Sequence, residues 1–337
     1  MVTIEDVAKR ANTSIATVSR VLNKKTGYSE KTKLKVLEAI EELGYESNAI
    51  ARSLKNKKTN TIGVLVPNVS SMLSNEILNG IEEYAHTNGY SVLTSYTYSD
   101  AERVMKSLKT FNEQRVDGLI FVSDFFLPEY YEYIRDREMP VVLTATESPD
   151  YPLSFIKVDD FKAAYDAVSY LISKGHENIG MISANPEVHP SAAGKSRLEG
   201  YKKALQDAHL DIDDKRIVFC DGFTFSIGRS KFKELIKNAP TTTAIFASSD
   251  DLAVGALNMA YELGVQIPQE VSIIGYDNIP ITEMVWPPLS TVSQPLKKMG
   301  YESTKKLMEQ IDKPEKKEAH HYISHEIIER KSVADLN

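Results

Sequence analysis

A short segment near the N-terminus combines a helical apolar stripe with polar and charged side chains on its other faces. Val18, Val21 and Leu22 recur at the spacing of one helix face. Arg20, on another face, carries a fork of N–H donors that matches the O6 and N7 acceptors of guanine. The pattern predicts a helix that buries its stripe and presents Arg20 to an acceptor-rich partner.

The remaining side chains of this segment have sizes that fit a DNA major groove. Ile15 and Ala16 cannot hydrogen-bond through their side chains, so we expect them to read thymine methyl groups and local shape. Short polar groups are better placed for phosphate, which fixes the register on DNA but not the sequence. These are Thr17, Ser19 and Asn23.

Three short helices are predicted to position these side chains. Thr3 and Asp6 have the spacing of a capping box at the start of the first helix. Ser14 is a good N-cap for the second helix, and residues 29–43 supply a third helix that covers the other two. The residues expected inside the third helix are Leu34, Leu37, Ile40 and Leu43. The arrangement is a helix-turn-helix.

Charge separates this head from the rest of the chain. Residues 1–60 hold 12 Lys and Arg against 7 Asp and Glu, whereas the whole chain holds 40 against 47. A small helical cap on an enzyme would not explain a basic head on an acidic body. Contact between the head and phosphate does explain it.

Residues 3–23 resemble the DNA-binding head of the LacI/GalR family, the bacterial sugar-operon repressors. The resemblance continues through 45–54 and 62–67 and covers essentially the whole chain. It implies a homodimer bound to a palindromic operator in double-stranded DNA. The chain ends without the leucine heptads of a tetramer, which also favours a dimer.

The resemblance also assigns base-reading positions. Ile15, Ala16 and Arg20 match the three positions through which the family contacts base edges. The Leu54 pair of a symmetric dimer would enter at the operator centre, where an easily unstacked step lowers the free energy of bending. We therefore expect an inverted repeat with a C-G centre, A/T-rich flanks and one guanine per half-site for Arg20.

Residues 47–60 form the predicted hinge between head and body. On composition alone this stretch is a flexible linker, because it holds few large apolar side chains. The resemblance instead implies a helix that forms only on DNA and pairs with its twin in the minor groove. Leu54 would then wedge between the central base pairs, and Arg52 and Lys55 would contact phosphate or the groove floor.

Beyond the hinge the pattern changes to alternating apolar strands and amphipathic helices. Buried strands joined by crossover helices predict parallel, doubly wound sheets. Two such series predict an α/β body of two periplasmic-binding-protein-like lobes facing a cleft, with 321–328 as the last strand. The expected boundaries are 1–46 for the head, 61–337 for the body, about 61–158 plus 293–321 for lobe 1, and about 159–292 plus 322–337 for lobe 2.

Parallel sheets bind ligands at the carboxyl ends of their strands, and the resemblance places effector-binding residues there. Arg197, at a predicted helix start, offers a fork of donors for paired hydroxyls or a carboxylate. Asp277, just past a strand, offers an acceptor, and Phe223 an aromatic face for a sugar ring. Leu73 and Ser249 complete the expected site. The alternative is that Arg197 and Asp277 pair with one another.

Two stretches depart from the family pattern. Ser249 stands where the family often has asparagine, and residues 71–74 stand where many members carry two phenylalanines. The wall of lobe 1 is therefore less aromatic. We expect a sugar or sugar derivative as the effector, one that differs in detail from the effectors of other family members. The other interpretation is a catabolite-control regulator gated by a phosphocarrier protein, against which Arg197 argues because a protein-gated lobe needs no arginine in its cleft.

Several other functions find no support in the sequence. The chain has no glycine-rich phosphate loop and no nucleophile elbow, so we expect no enzyme and no cofactor. His320, His321 and His325 are better explained by a solvated edge than by a metal site. Cys220 is the single cysteine, which suits a reducing cytoplasm, and no apolar run approaches a membrane span.

Overall fold

The computed structural model describes residues 2–22, 26–45, 58–123, 126–148, 150–186, 192–313 and 320–337. The chain divides into two units, Met1–Thr59 and Asn60–Asn337. Four of the predicted DNA-binding residues lie outside the described ranges, so they stay predictions. They are Asn23, Arg52, Leu54 and Lys55.

The three predicted helices form the first unit. The Thr3 hydroxyl accepts a hydrogen bond from the Asp6 N–H at 3.3 Å, and the Asp6 carboxylate accepts one from the Thr3 N–H at 2.9 Å. Ser14 caps the second helix by accepting from the Thr17 N–H at 3.1 Å. Gly44, at φ 59°, ends the third helix in a left-handed conformation. The helices are α1 (Ile4–Arg10), α2 (Ile15–Leu22) and α3 (Glu30–Leu43).

The buried face of α3 corrects one prediction. Leu34 and Leu37 are exposed over 58% and 46% of their surface, although the sequence pattern placed them inside. Val36 and Ala39 are buried instead, with Ile40 half-buried beside them. The apolar stripe of α3 is wider than the surface that two helices as short as α1 and α2 can cover, so part of it stays outside.

The second unit alternates strands and helices, as predicted. Its strands are β1 (Thr61–Val66), β2 (Ser91–Tyr96), β3 (Gly118–Val122), β4 (Val141–Thr144), β5 (Ser154–Lys157), β6 (Ile179–Ala184), β7 (Ile217–Cys220), β8 (Ala244–Ala247), β9 (Ser272–Asp277), β10 (Ser290–Ser293), β11 (His320–Tyr322) and β12 (Glu326–Ile328). Its helices are α4 (Met72–Thr87), α5 (Ala101–Glu113), α6 (Pro128–Arg135), α7 (Asp160–Ser173), α8 (Ala192–Asp207), α9 (Phe225–Asn238), α10 (Asp250–Leu263), α11 (Ile281–Met284) and α12 (Leu296–Asp312).

The strands form two six-stranded sheets, which define two lobes. The sheet of lobe 1 has the order β11-β5-β4-β3-β1-β2, and that of lobe 2 has the order β12-β10-β9-β8-β6-β7. Among the described pairings, β10 with β12 is antiparallel and all others are parallel. The predicted doubly wound α/β body is confirmed.

The end of the chain differs from its prediction. In place of one strand over 321–328, β11 pairs with β5 in lobe 1 and β12 pairs with β10 in lobe 2. Between them Ile323 is buried, and its N–H donates to the Lys157 carbonyl at 2.8 Å. The side-chain alternation runs on while the backbone changes sheets, so the pattern does not mark the change.

The chain therefore passes between the two sheets three times. We call the segments between the sheets the first crossing (158–159, between β5 and α7), the second crossing (294–295, between β10 and α12) and the third crossing (323–325, between β11 and β12). The three crossings are the segments on which a rotation of one lobe against the other must act.

Within lobe 1, α4 and α12 pack so closely that each needs a glycine. A Cβ on Gly80 would lie 1.9 Å from the carbonyl oxygen of Lys297, and a Cβ on Gly300 would lie 2.0 Å from that of Ile77. These obstacles are backbone atoms, which cannot turn aside as the end of a side chain can. Any larger residue must separate the helices.

Gly80→Ala and Gly300→Ala are each expected to destabilise the protein by about 1–3 kcal/mol or more, as overpacking does. Urea denaturation measures the change. Gly194→Ala in α8 is the matched control, because the atom nearest to its added Cβ is the Ala184 Cβ at 3.6 Å, an ordinary contact. The control should be neutral or stabilising by up to about 1 kcal/mol. A Gly80→Ala protein as stable as the control would contradict the close packing.

Candidate functional site

The outer face of α2 carries the residues predicted to read bases. Val18 and Val21 are buried in the head core, whereas Ile15, Ala16 and Arg20 are exposed. The head thus leaves these three side chains available on one helix. This is the arrangement that a recognition helix needs in a major groove.

The two described residues predicted to contact phosphate are less open. Thr17 and Ser19 are half-buried, and the Thr17 hydroxyl lies 2.9 Å from the Ser14 hydroxyl at the helix start. The Thr17 side chain therefore also supports the N-cap. Its position near the helix N-terminus is favourable for an anion, because unpaired N–H groups point outward there.

In lobe 2, Arg197 lies among fixed partners. It is the sixth residue of α8, and not at the helix start as predicted, because α8 begins at Ala192. Its Nε donates to Oδ1 of Asp160 at 2.8 Å, and its Nη2 lies 2.8 Å from the same oxygen. Nη1 donates to the Ser248 carbonyl at 2.6 Å, and the guanidinium lies 3.7 Å from the ring centre of Tyr276. The structural partner of Arg197 is therefore Asp160 and not Asp277.

A second cation shares Asp160. Lys157 Nζ lies 2.9 Å from Oδ2 of Asp160 and donates to Glu147 at 2.8 Å. The Tyr276 hydroxyl donates to Oδ1 of Asp160 at 3.0 Å. The side chains of Lys157, Asp160 and Arg197 are exposed over 3%, 2% and 10% of their surface, so this row of alternating charges is screened from water.

The pKa shifts of this row follow from burial and charge. Burial alone would raise the pKa of Asp160, but Arg197 and Lys157 outweigh it, so that pKa is lowered. Burial alone would lower the pKa of Lys157, but Asp160 and Glu147 outweigh it, so that pKa is raised. The pKa of Arg197 is raised for the same reason. All three groups stay charged at neutral pH.

Asp277 lies at the carboxyl end of β9 in a strained backbone conformation, with φ 127°. Its carboxylate accepts a hydrogen bond from the Gln294 side chain at 2.7 Å. Asp250 lies nearby and accepts from the Thr291 hydroxyl at 2.6 Å and from the Ile279 N–H at 2.9 Å. Two buried carboxyl groups therefore share this end of the site.

Burial, together with the charge of Asp250, raises the pKa of Asp277 well above its usual range. Burial raises the pKa of Asp250 to about 6. Each folded-state pKa lies above the unfolded value, so the folded protein holds these protons more tightly. Stability is therefore present at low pH and is lost as pH rises through the folded pKa.

For Asp250 alone, the loss should amount to roughly 3 kcal/mol between about pH 4 and pH 7, since one pKa unit corresponds to about 1.4 kcal/mol. Asp250→Asn should flatten this fall, because the amide keeps hydrogen bonds to Thr291 and Ile279 without a charge. Urea denaturation at several pH values measures it. Asp207→Asn, which removes an exposed carboxylate, should leave the fall unchanged. An Asp250→Asn protein with the wild-type fall would contradict this origin.

The other predicted effector residues occupy strand-end positions but have structural contacts. The Ser249 hydroxyl accepts from the Leu252 N–H at 3.2 Å and caps α10. Phe223, after β7, is half-buried against the core of lobe 2. Leu73, in the first turn of α4, is half-buried against the larger core cluster.

A groove of about 770 Å³ lies beside Asp277. Its lining includes Asn278 and Gln294, with Met284 from lobe 2 and Tyr301 from α12 of lobe 1. Arg197 does not belong to that lining. The groove therefore adjoins one end of the predicted site and does not contain it.

Within the residues that the structure describes, no group of three or more His, Cys, Asp or Glu side chains is arranged to hold a metal ion. His320 and His321 are exposed, and His325 lies 2.9 Å from Asp166. Among the same residues, no helix is both long enough and apolar enough to cross a membrane.

Sequence reasoning missed three residues that hold the site together. Lys157 is the one charged residue of its four-residue strand, and that exception was the available signal. Asp160 reads as an ordinary acid in the first turn of a helix. Gln294 follows a strand without any distinguishing pattern.

The geometry defines a class of protein, a helix-turn-helix head joined to a two-lobed ligand-binding body. Comparison with known proteins agrees. Residues 3–48 match the family model for bacterial regulatory proteins of the lacI family, and residues 168–333 match a periplasmic binding protein-like domain. Catabolite control protein A of Priestia megaterium is 36% identical over 93% of this chain and 93% of its own length.

Solved structures show the same relationship. The lac repressor dimer bound to operator superposes with a TM-score of 0.89 at 25% identity, covering 99% of each chain. A complex of the transcriptional regulator CelR with cellobiose superposes with a TM-score of 0.76 at 26% identity, covering 98% of this chain and 100% of that one. The chain belongs to the LacI family. It is a DNA-binding transcriptional regulator and not an enzyme.

Proposed function

We propose that this chain acts in the cytoplasm as a homodimeric repressor of a carbohydrate-utilisation operon, with a sugar or sugar derivative as the effector between its lobes. The DNA-binding part rests on the exposed face of α2. Ile15 and Ala16 offer apolar contacts to thymine, and Arg20 offers a bidentate contact to guanine. A symmetric dimer would present two such faces to a palindrome.

The observation that carries the effector proposal is the orientation of Arg197. A guanidinium has five N–H groups, and the contacts to Asp160 and Ser248 engage three of them. One N–H on each terminal nitrogen is not used by these contacts. Asp277, at the carboxyl end of β9, adds a carboxyl group, so the proposed site combines N–H donors with an acceptor, as paired sugar hydroxyls require. The cellobiose complex of CelR supports a sugar.

The proposed mechanism is ligand-driven closure of the lobes. Closure would alter the separation of the two hinge segments, residues 47–60 of each protomer, and with it their ability to form helices on DNA. The insertion of Leu54 between the central base pairs is part of this proposed mechanism.

Arg197→Ala tests the effector site. With D-glucose, D-ribose and cellobiose as probes, a binding sugar should raise the melting temperature of the wild type. Loss of the guanidinium should weaken that sugar by about 2–3 kcal/mol, tens- to a hundredfold in Kd by calorimetry. Arg229→Ala, which removes contacts to Asn258 and Glu262 between α9 and α10, is the control and should keep the wild-type Kd. Equal Kd values for both variants would remove Arg197 from the site.

The similarity to catabolite control protein A favours one alternative, a regulator gated by a phosphocarrier protein. Arg197 has a structural ion pair with Asp160, so the arginine is compatible with that alternative as well. Calorimetry of the full chain against the phosphocarrier protein and against the three sugars separates the two. If only the phosphocarrier titration releases or absorbs heat, the phosphocarrier alternative replaces the sugar proposal.

A further inference from the structure

The first crossing is tied to Arg197 through two buried ion pairs. Lys157 is the last residue of β5 in lobe 1, and Asp160 is the first residue of α7 in lobe 2. The ion pair between them spans the crossing at 2.9 Å, and Asp160 holds Arg197 at 2.8 Å. On the lobe 1 side, Lys157 continues to Glu147 at 2.8 Å. Arg197, a residue of lobe 2 that is proposed to bind the effector, is thus connected to lobe 1 through a row of charged side chains.

The second crossing is tied to Asp277. Gln294 lies in that crossing, and its side-chain amide donates to Asp277 at 2.7 Å. Both residues are buried. Asn278 follows Asp277 in the chain. Its side-chain amide donates a hydrogen bond at 3.1 Å to the hydroxyl of Ser293, the last residue of β10. Asp277, the second residue proposed to bind the effector, is therefore also hydrogen-bonded to a crossing.

The third crossing is tied to the first. The Ile323 N–H donates to the Lys157 carbonyl at 2.8 Å, and the Tyr322 hydroxyl donates to Glu147 at 3.2 Å. At its other end, His325 lies 2.9 Å from Asp166 of α7. A displacement of Lys157 would therefore reach two of the three crossings.

Burial makes these links sensitive to changes at the effector end. In a low-dielectric interior a charged contact is stronger than in water, and a lost partner is correspondingly expensive. A ligand oxygen that binds the remaining N–H groups of Arg197 would compete with Asp160 for the positive charge, which would strengthen the pairing of Asp160 with Lys157. A ligand hydroxyl that donates to Asp277 would compete with Gln294 for an oxygen of the same carboxyl group.

We propose that Lys157 and Gln294 are the residues that transmit effector occupancy to the lobe crossings. They position Arg197 and Asp277 without contacting the effector, and they convert its binding into rotation of the lobes. This inference deepens the proposed function and rests on it for the effector itself. The links between the cleft and the crossings are testable without any ligand.

The first experiment uses hydrogen exchange of the ligand-free full chain. Arg197→Ala should speed exchange in peptides that contain Ala145 and Ile323, because their N–H groups donate to Ile156 and Lys157 of β5. We expect about a tenfold increase, the effect of local destabilisation. Arg229→Ala removes an arginine from lobe 2 away from the row and should leave both peptides unchanged. Wild-type exchange in the Arg197→Ala protein would overturn the proposed transmission.

The second experiment measures operator affinity with and without whichever of D-glucose, D-ribose and cellobiose binds the wild type. Lys157→Met and Gln294→Met keep side-chain volume, and each is measured at a sugar concentration that saturates it. The ratio of operator affinities with and without sugar, typically 5–150-fold for coupled sites, should fall towards one. A merely structural role would lower stability and leave this ratio unchanged.

Matched controls keep that measurement specific. Gln310→Met removes a glutamine bond to Ser154 within lobe 1, and Lys174→Met removes ion pairs to Glu329 and Asp335 within lobe 2. Both controls should keep the wild-type ratio. If the Lys157→Met and Gln294→Met proteins, with sugar bound, keep the wild-type ratio of operator affinities, the inference is refuted. If no sugar binds the wild type, the proposed function fails, and the exchange experiment still decides whether the cleft is linked to the crossings.

Discussion

Arg20→Ala is expected to weaken binding to the preferred operator by about 1–3 kcal/mol for each half-site, roughly tenfold or more per half-site. The arginine fork would satisfy two acceptors of one guanine, and alanine leaves both unpaired. Preference at that base pair should relax while other positions keep theirs. Fluorescence anisotropy against operators randomised at each half-site position measures both effects.

Arg10→Ala is the matched control for Arg20. Arg10 lies in the last turn of α1 and forms an exposed ion pair with Glu42, so it does not share the outer face of α2. Its loss should change affinity little, and equally for all sequences, because any contact it makes is to phosphate. A uniform loss in the Arg20→Ala protein would assign Arg20 to the backbone and would remove the expected guanine.

Asp160→Ala should produce the largest loss of stability, about 3–5 kcal/mol, because removal of one member leaves a buried charge unpaired. Arg197 would lose its carboxylate, and Lys157 would keep only Glu147. Urea denaturation of the full chain measures the change as a lower midpoint with an unchanged slope. Asp160→Asn keeps the shape and one acceptor oxygen and should lose less.

Asp166→Ala provides the comparison within the same helix. Its carboxylate binds Lys162, whose side chain is 63% exposed, and lies near His325. Solvent screens the pair with Lys162, so loss of that pair should cost only about 0–1 kcal/mol, and the total loss should stay below that of Asp160→Ala. Equal losses for Asp160→Ala and Asp166→Ala would mean that the buried row contributes no more to stability than a surface ion pair.

The fold followed from the sequence wherever burial was complete. The fully buried β4 and β8 are among the strands that the alternation of apolar runs and amphipathic helices predicts, and the capping residues Thr3, Ser14 and Ser29 begin the predicted helices. Those signals are local, because they depend on side-chain period and on one or two hydrogen bonds. α8 begins five residues earlier than predicted, since its first turns carry small and polar residues without an apolar period.

The candidate site was less accessible from sequence. The resemblance placed Arg197 at a helix start and Asp277 just past a strand end, whereas the structure has Arg197 as the sixth residue of α8 and Asp277 as the last residue of β9. Their partners Asp160 and Gln294 are separated from them by 37 and 17 positions. Such pairs depend on the packing of α7 against α8 and on the path of a crossing, which no local pattern encodes. The same limit applies to Leu34, whose exposure depends on the area that other helices cover.

The close contact of α4 with α12 bears on any attempt to turn this regulator into a sensor for another compound. Gly80 and Gly300 place the two helices backbone against backbone, so larger residues cannot be traded between the helices to reshape lobe 1. New ligand contacts should therefore be built on the strand-end loops, where side chains change without moving a helix. A designed library would vary those loops and keep both glycines.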